Sequence, residues 1–83
     1  MNLYLVSQDR NRDYDTYDSM VVAAETEEAA RLIHPSVYAS DEWWNNKGFV
    51  SDWAMPDRVQ VDLIGTATPE TQPGVICASF NAG

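Results

Sequence analysis

The stretch Arg58-Val59-Gln60-Val61-Asp62-Leu63-Ile64 decides the fold class. Val59, Val61 and Leu63 alternate with Arg58, Gln60 and Asp62, the period of two that a strand with one buried face requires. Such a strand needs neighbours, and the flanking sequence supplies them. Toward the C-terminus, Gly65 to Gly74 carries Pro69 and Pro73 and reads as a turn-rich connection. Val75 to Phe80 then reads as a final strand, with Ile76, Ala78 and Phe80 on one face and Val75, Cys77 and Ser79 on the other. Asn81-Ala82-Gly83 is a short tail.

Toward the N-terminus two more strands appear. Asn2 to Ser7 is apolar on both faces and too short for a helix, which predicts a central strand. Met20 to Ala24, built on Val21 and Val22, predicts a second. Between them, Gln8 to Asp18 is rich in Asp and Asn, which favour side-chain-to-backbone turns. This connection exceeds the usual hairpin loop of about 2–5 residues, and loops lengthened in this way often carry function.

One helix is expected after Thr26, whose hydroxyl can cap the first turn, with Glu27 and Glu28 at the positive end of the dipole. Ala29, Leu32 and Ile33 form the expected apolar stripe, and Pro35 ends it. Ser36 to Pro56 reads as a long connection with one or two helical turns, for which Asp41 and Ser51 are candidate caps. The order β-β-α-β-β predicts an α+β fold: a four-stranded, mostly antiparallel sheet with one short helix packed on a face.

Composition bounds what the chain can do. Its 83 residues make a single domain, 1–83, with a thin margin of stability. With 45% hydrophobic residues it is too apolar for a disordered segment. Thirteen acids against five bases give a net charge of −8, which opposes non-specific binding to nucleic acid. One cysteine, Cys77, excludes an internal disulfide framework and a cysteine-based zinc site; one histidine, His34, excludes a His-rich metal site. No apolar run approaches the ~18 residues of a membrane span, and the first residues lack the pattern of a signal peptide. The expectation is an acidic, cytosolic domain with no membrane partner.

Candidate chemistry points to binding rather than catalysis. Asp9, Asp13, Asp15 and Asp18 offer hard oxygen ligands, but their spacing lacks the glycine and closing glutamate of an EF-hand, and Arg10 and Arg12 neutralise it locally. A solvated turn is the better reading, so no metal and no cofactor are expected. Cys77 lies mid-strand, where a small buried thiol is the common outcome, and His34 at a helix end is more simply a dipole partner than a base. No Gly-rich phosphate loop is present.

The aromatic residues are more informative. Tyr14 and Tyr17 sit on the polar loop, each offering a flat face and a hydroxyl. Trp43, Trp44 and Trp53 crowd one connection; tryptophan is first of all core volume, but it is also enriched at binding hot spots and stacks on nucleobases. Arg58, Lys47, Arg10 and Arg12 are nearly all the cation available, enough for one nucleotide-sized ligand but not for a polynucleotide track. The expected ligand-binding set is Tyr14, Tyr17, Asp18, Trp43, Trp44, Trp53, Arg58, Phe80 and Asn81.

Leu3-Tyr-Leu-Val-Ser-Gln-Asp9, Tyr14-Asp-Thr-Tyr-Asp-Ser19 with Val21-Val22-Ala23-Ala24, and Gly74-Val-Ile-Cys-Ala-Ser-Phe-Asn-Ala-Gly83 resemble a family of small phage and prophage proteins, as do Glu28-Ala-Ala-Arg-Leu-Ile-His-Pro35 and Val61-Asp-Leu-Ile-Gly65. The resemblance covers about two thirds of the chain and is loosest in the Trp-rich middle. It carries no catalytic residue. It implies a viral accessory protein of the host cytoplasm, a class that often counteracts bacterial defence. One expectation is sequestration of a small nucleotide-type immune signal, of the ADP-ribose type made by TIR enzymes or a cyclic nucleotide, by a homo-oligomer. The alternative is an acidic inhibitor that imitates nucleic acid in a CRISPR or restriction complex. A second alternative is a structural or virion-associated module.

Overall fold

The computed structural model describes residues 1–9, 16–36, 42–45 and 53–81. Within them lie β1 (Asn2–Ser7), β2 (Thr16–Ala24), α1 (Glu27–Arg31), β3 (Gln60–Thr66) and β4 (Gly74–Asn81), with 3-10 turns at Trp43–Asn45 and Pro56–Arg58. The strands form one antiparallel sheet in the order β3-β1-β2-β4. The fold is α+β, as the strand and helix periods require. β1 takes a central place because both of its faces are apolar; its ladder runs from Asn2 opposite Ala24 to Ser7 opposite Ser19.

The core lies on one face of this sheet. Tyr4, Val6, Met20, Val22 and Ala24 project from the two central strands against Ala30, Trp43, Trp53, Ala54 and Val59. A core built from so few residues leans on its tryptophans for volume. α1 starts where expected: Thr26 Oγ1 accepts the Ala29 N–H at 3.1 Å, and Glu27 and Glu28 fill the first turn.

Its buried stripe is displaced by one residue from the sequence expectation. Ala29 is exposed and Leu32 is 41% exposed, while Ala30 is fully buried, His34 is buried and Ile33 packs against the core. Of these only Ala30 lies within α1; Ile33 and His34 follow its C-cap Leu32, so the helix ends ahead of the expected stop at Pro35. A helix this short is oriented by what it packs on, so the smallest residue goes where helix and sheet approach most closely.

Each edge strand carries one residue out of register. Leu3 opposes Gly65 and Tyr4 opposes Leu63, leaving Ile64 as an extra residue on β3. Val21 opposes Cys77 and Val22 opposes Val75, leaving Ile76 as an extra residue on β4. The second bulge alters the expected faces of β4: Val75 joins Ala78 and Phe80 on the side shared with Val22, Met20 and Tyr17, and Ile76 does not. Leu63, expected inside with Val59 and Val61, is 64% exposed. Cys77, expected to be buried, is exposed.

β2 also begins earlier than expected. The Gln8 N–H donates to the Asp18 carbonyl at 3.1 Å and Gln8 Nε2 to the Tyr17 carbonyl at 2.8 Å. These bonds extend the hairpin past Ser19, and Asp18 becomes the extra residue of a third irregularity opposite β4. No helix among the described residues is long and apolar enough to cross a membrane.

Candidate functional site

The end of α1 anchors two turns. Arg31 Nη1 donates to the Pro56 carbonyl at 3.1 Å and to the Val59 carbonyl at 2.8 Å, which clamps the Pro56–Arg58 turn at both ends. The next residue, Leu32, offers its carbonyl to the indole N–H of Trp43 at 2.9 Å and so fixes the Trp43–Asn45 turn. Both turns are thereby set beside one another, although they are distant in sequence.

Between them lies an open cleft of about 500 Å³, lined by Leu32, Trp44, Met55, Pro56, Asp57 and Arg58. Trp44 is half-buried and stands edge-on to Trp43, with ring centroids 6.0 Å apart and planes at 79°. Arg58 is exposed, and its Nε lies 3.9 Å from Asp57 Oδ2, a surface pair worth little. Arg58 also borders a polar recess of about 290 Å³ with Ser7, Gln8, Asp9, Asp57 and Gln60. A guanidinium thus stands between an apolar wall bearing an indole and a wall of hydroxyl, amide and carboxylate groups. An aromatic ring suits the first wall, an anionic oxygen suits Arg58, and a diol suits Asp9 and Asp57.

No family model, curated protein or solved structure matches this chain. The geometry of the clefts therefore carries the functional reading.

The expected site residues divide into separate groups. Trp44 and Arg58 share the cleft just described. Tyr17 and Phe80 meet each other instead, with centroids 4.8 Å apart and planes at 50°. Gln60, Ser7, Ser19 and Ser79 form one row across the sheet, so the two groups lie at the same end but on opposite edges. Three strand spacings separate those edges, about 14 Å. Asp18 is exposed at its bulge beside the second group.

Trp43 and Trp53 are placed otherwise. They are 3% and 1% exposed, enclosed by their own chain, and present no face to a ligand. Tyr14, Arg10, Arg12, Lys47 and the side chain of Asn81 lie outside what the structure describes, as do Asp13 and Asp15 of the acidic loop. Leu32, Met55, Pro56 and Asp57 complete the cleft but were not singled out by the sequence. The one hint was Pro56 directly ahead of the alternating strand, which marks a rigid turn presenting Asp57 and Arg58.

His34 is buried just beyond the end of α1. Its Nδ1 accepts the Ser36 N–H at 3.0 Å, and its ring packs edge-on against Trp43 at 4.9 Å. Cys77 shares a face with Val21, opposite the face that carries the core, so it does not meet His34 as a thiol–imidazole pair. Among the described residues no three His, Cys, Asp or Glu side chains come together as a metal site.

Proposed function

We propose that this protein binds a small nucleotide-type ligand without chemical conversion. The observation that carries the reading is the pairing of Trp44 with Arg58 on the two sides of one open cleft, beside a recess edged by carboxylates. A nucleobase lies against Trp44 and Leu32, a phosphate meets Arg58, and ribose hydroxyls donate to Asp57 or Asp9. Base–indole stacking contributes about 1–3 kcal/mol. Asp57 and Asp9 oppose a densely charged polyphosphate, so the ligand carries few phosphates. In the phage setting that the sequence resemblance implies, such binding removes a nucleotide immune signal from the host cytoplasm. The test is thermal unfolding across a panel of ADP-ribose-type and cyclic nucleotides, because a ligand bound only by the folded state raises Tm. A rise with at least one of them is expected; no shift at high excess overturns the reading.

A second reading rests on a different observation. Every acidic side chain among the described residues is exposed, from Asp9 and Asp18 to Glu70. An acidic body of this kind suits the basic channel of a defence complex, as an inhibitor that imitates nucleic acid. Its affinity for a basic partner falls steeply with salt.

A further inference from the structure

The observation concerns β4. It is an edge strand, and every described side chain from Val75 to Phe80 is exposed, including Val75 (38%), Ile76 (52%) and Phe80 (47%). An edge strand of this length presents a row of unpaired N–H and C=O groups, and natural proteins blunt such edges with charge, bulges or cover. Charge is absent here: no Asp, Glu, Lys or Arg follows Glu70, whereas the whole chain carries −8. The bulge at Ile76 interrupts only the start of the strand; from Cys77 to Asn81 β4 itself carries no extra residue, the one further irregularity of its ladder lying on β2 at Asp18.

We propose that Cys77–Asn81 pairs antiparallel with the same segment of a second copy, joining two four-stranded sheets into one of eight strands. The occupant follows from charge. Two copies carrying −8 each repel wherever acidic surfaces meet, and an uncharged strand is the surface on which that repulsion is least. It offers no ion pair to a basic or acidic partner. The other edge is less suited, because β3 holds Asp62 near its middle and a self-paired β3 sets two carboxylates close together. Pairing of β4 with β3 of another copy is head-to-tail and leaves further edges open, whereas β4 with β4 is two-fold and closes.

The register can be named. A two-fold axis normal to the sheet at Ser79 sets Ser79 opposite Ser79, and Phe80 of each copy opposite Ala78 of the other. The large ring then lies over the smallest apolar side chain of the segment. Phe80 already leans on Tyr17 within its own chain, so the apolar strip continues across the junction.

The experiment measures the mass in solution of the full chain and of Ala78→Lys, with circular dichroism as a check on folding. The wild type is expected at twice its 9.3 kDa chain mass or at an even multiple, and Ala78→Lys at half the wild-type value with an unchanged spectrum. A second test needs no disruptive change: Ser79→Cys in a Cys77→Ser background forms a disulfide-linked dimer on mild oxidation, and Thr66→Cys on β3 in the same background does not. A monomeric wild type, an assembly untouched by Ala78→Lys, or cross-linking through position 66 instead of 79 overturns the proposal.

Discussion

Trp43 donates its indole N–H to the Leu32 carbonyl across eleven residues of chain, at 2.9 Å. The bond satisfies a carbonyl that α1 leaves open at its C-terminus, and it holds the neighbouring Trp44 against the cleft. Trp43→Phe keeps most of the ring volume and removes the donor. A loss of about 1–2 kcal/mol is expected. At about 4–8 °C per kcal/mol for a domain of this size, the drop in Tm is readily measured.

Trp44→Ala separates binding from folding. Trp44 is half-buried at the margin of the core, so its removal costs less stability than that of Trp43 or Trp53. Ligand affinity is expected to fall by about 5- to 150-fold, the equivalent of a lost stacking contact of about 1–3 kcal/mol. Isothermal titration with the ligand that gives the largest thermal shift checks it. Unchanged affinity in a folded Trp44→Ala variant removes the indole from the site.

Trp53→Ala behaves in the opposite way. At 1% exposure the ring is core volume, and its truncation costs about 3–5 kcal/mol, enough to unfold a chain this small. Denaturant unfolding measures the loss. A stable Trp53→Ala that no longer binds nucleotide would instead make Trp53 a ligand contact.

Arg31→Met tests whether the Pro56–Arg58 turn needs its clamp. The apolar stem is kept while the hydrogen bonds to the carbonyls of residues 56 and 59 are lost. Stability is expected to fall by about 1–2 kcal/mol. Nucleotide affinity falls as well, because Arg58 loses its fixed position; Arg31→Lys recovers part of the stability and little of the affinity, since one ammonium does not reproduce the guanidinium fork.

Gly74 opens β4 at φ +134°, a conformation that side chains rarely adopt. A Cβ there meets no atom within 4 Å, so the cost of Gly74→Ala is backbone strain alone. About 1–3 kcal/mol is expected, measured by thermal unfolding. Gly65→Ala serves as the comparison, where the added Cβ makes an ordinary contact with Leu3 Cδ1 at 3.9 Å.

The sheet was legible in the chain because each strand announces itself locally. Leu3 to Val6 is apolar on both faces and takes the centre; Val59 and Val61 alternate with polar neighbours and take an edge. The Thr26 cap was legible for the same reason, being a contact between residues three apart. What alternation does not encode is a register shift, and so the bulge at Ile76 moved Val75 to the other face; Cys77 is exposed because its face of the sheet lies away from the core. The displaced helix stripe has a related cause: Ala29 and Ala30 are chemically alike, and only the approach of the sheet distinguishes them. The tryptophans were ambiguous because burial is a tertiary outcome. Trp43 and Trp44 are adjacent, yet one fills the core and the other borders a cleft.

The strand order has a consequence for synthesis on the ribosome. β1 and β2 emerge first and can zip into the central hairpin, but β1 then waits for β3, where Asn2 lies opposite Thr66. β2 waits longer still, since β4 is the last strand translated. Until then its outer border is bare, and a nascent chain stalled before residue 74 exposes Met20 to Ala23 as a template for aggregation.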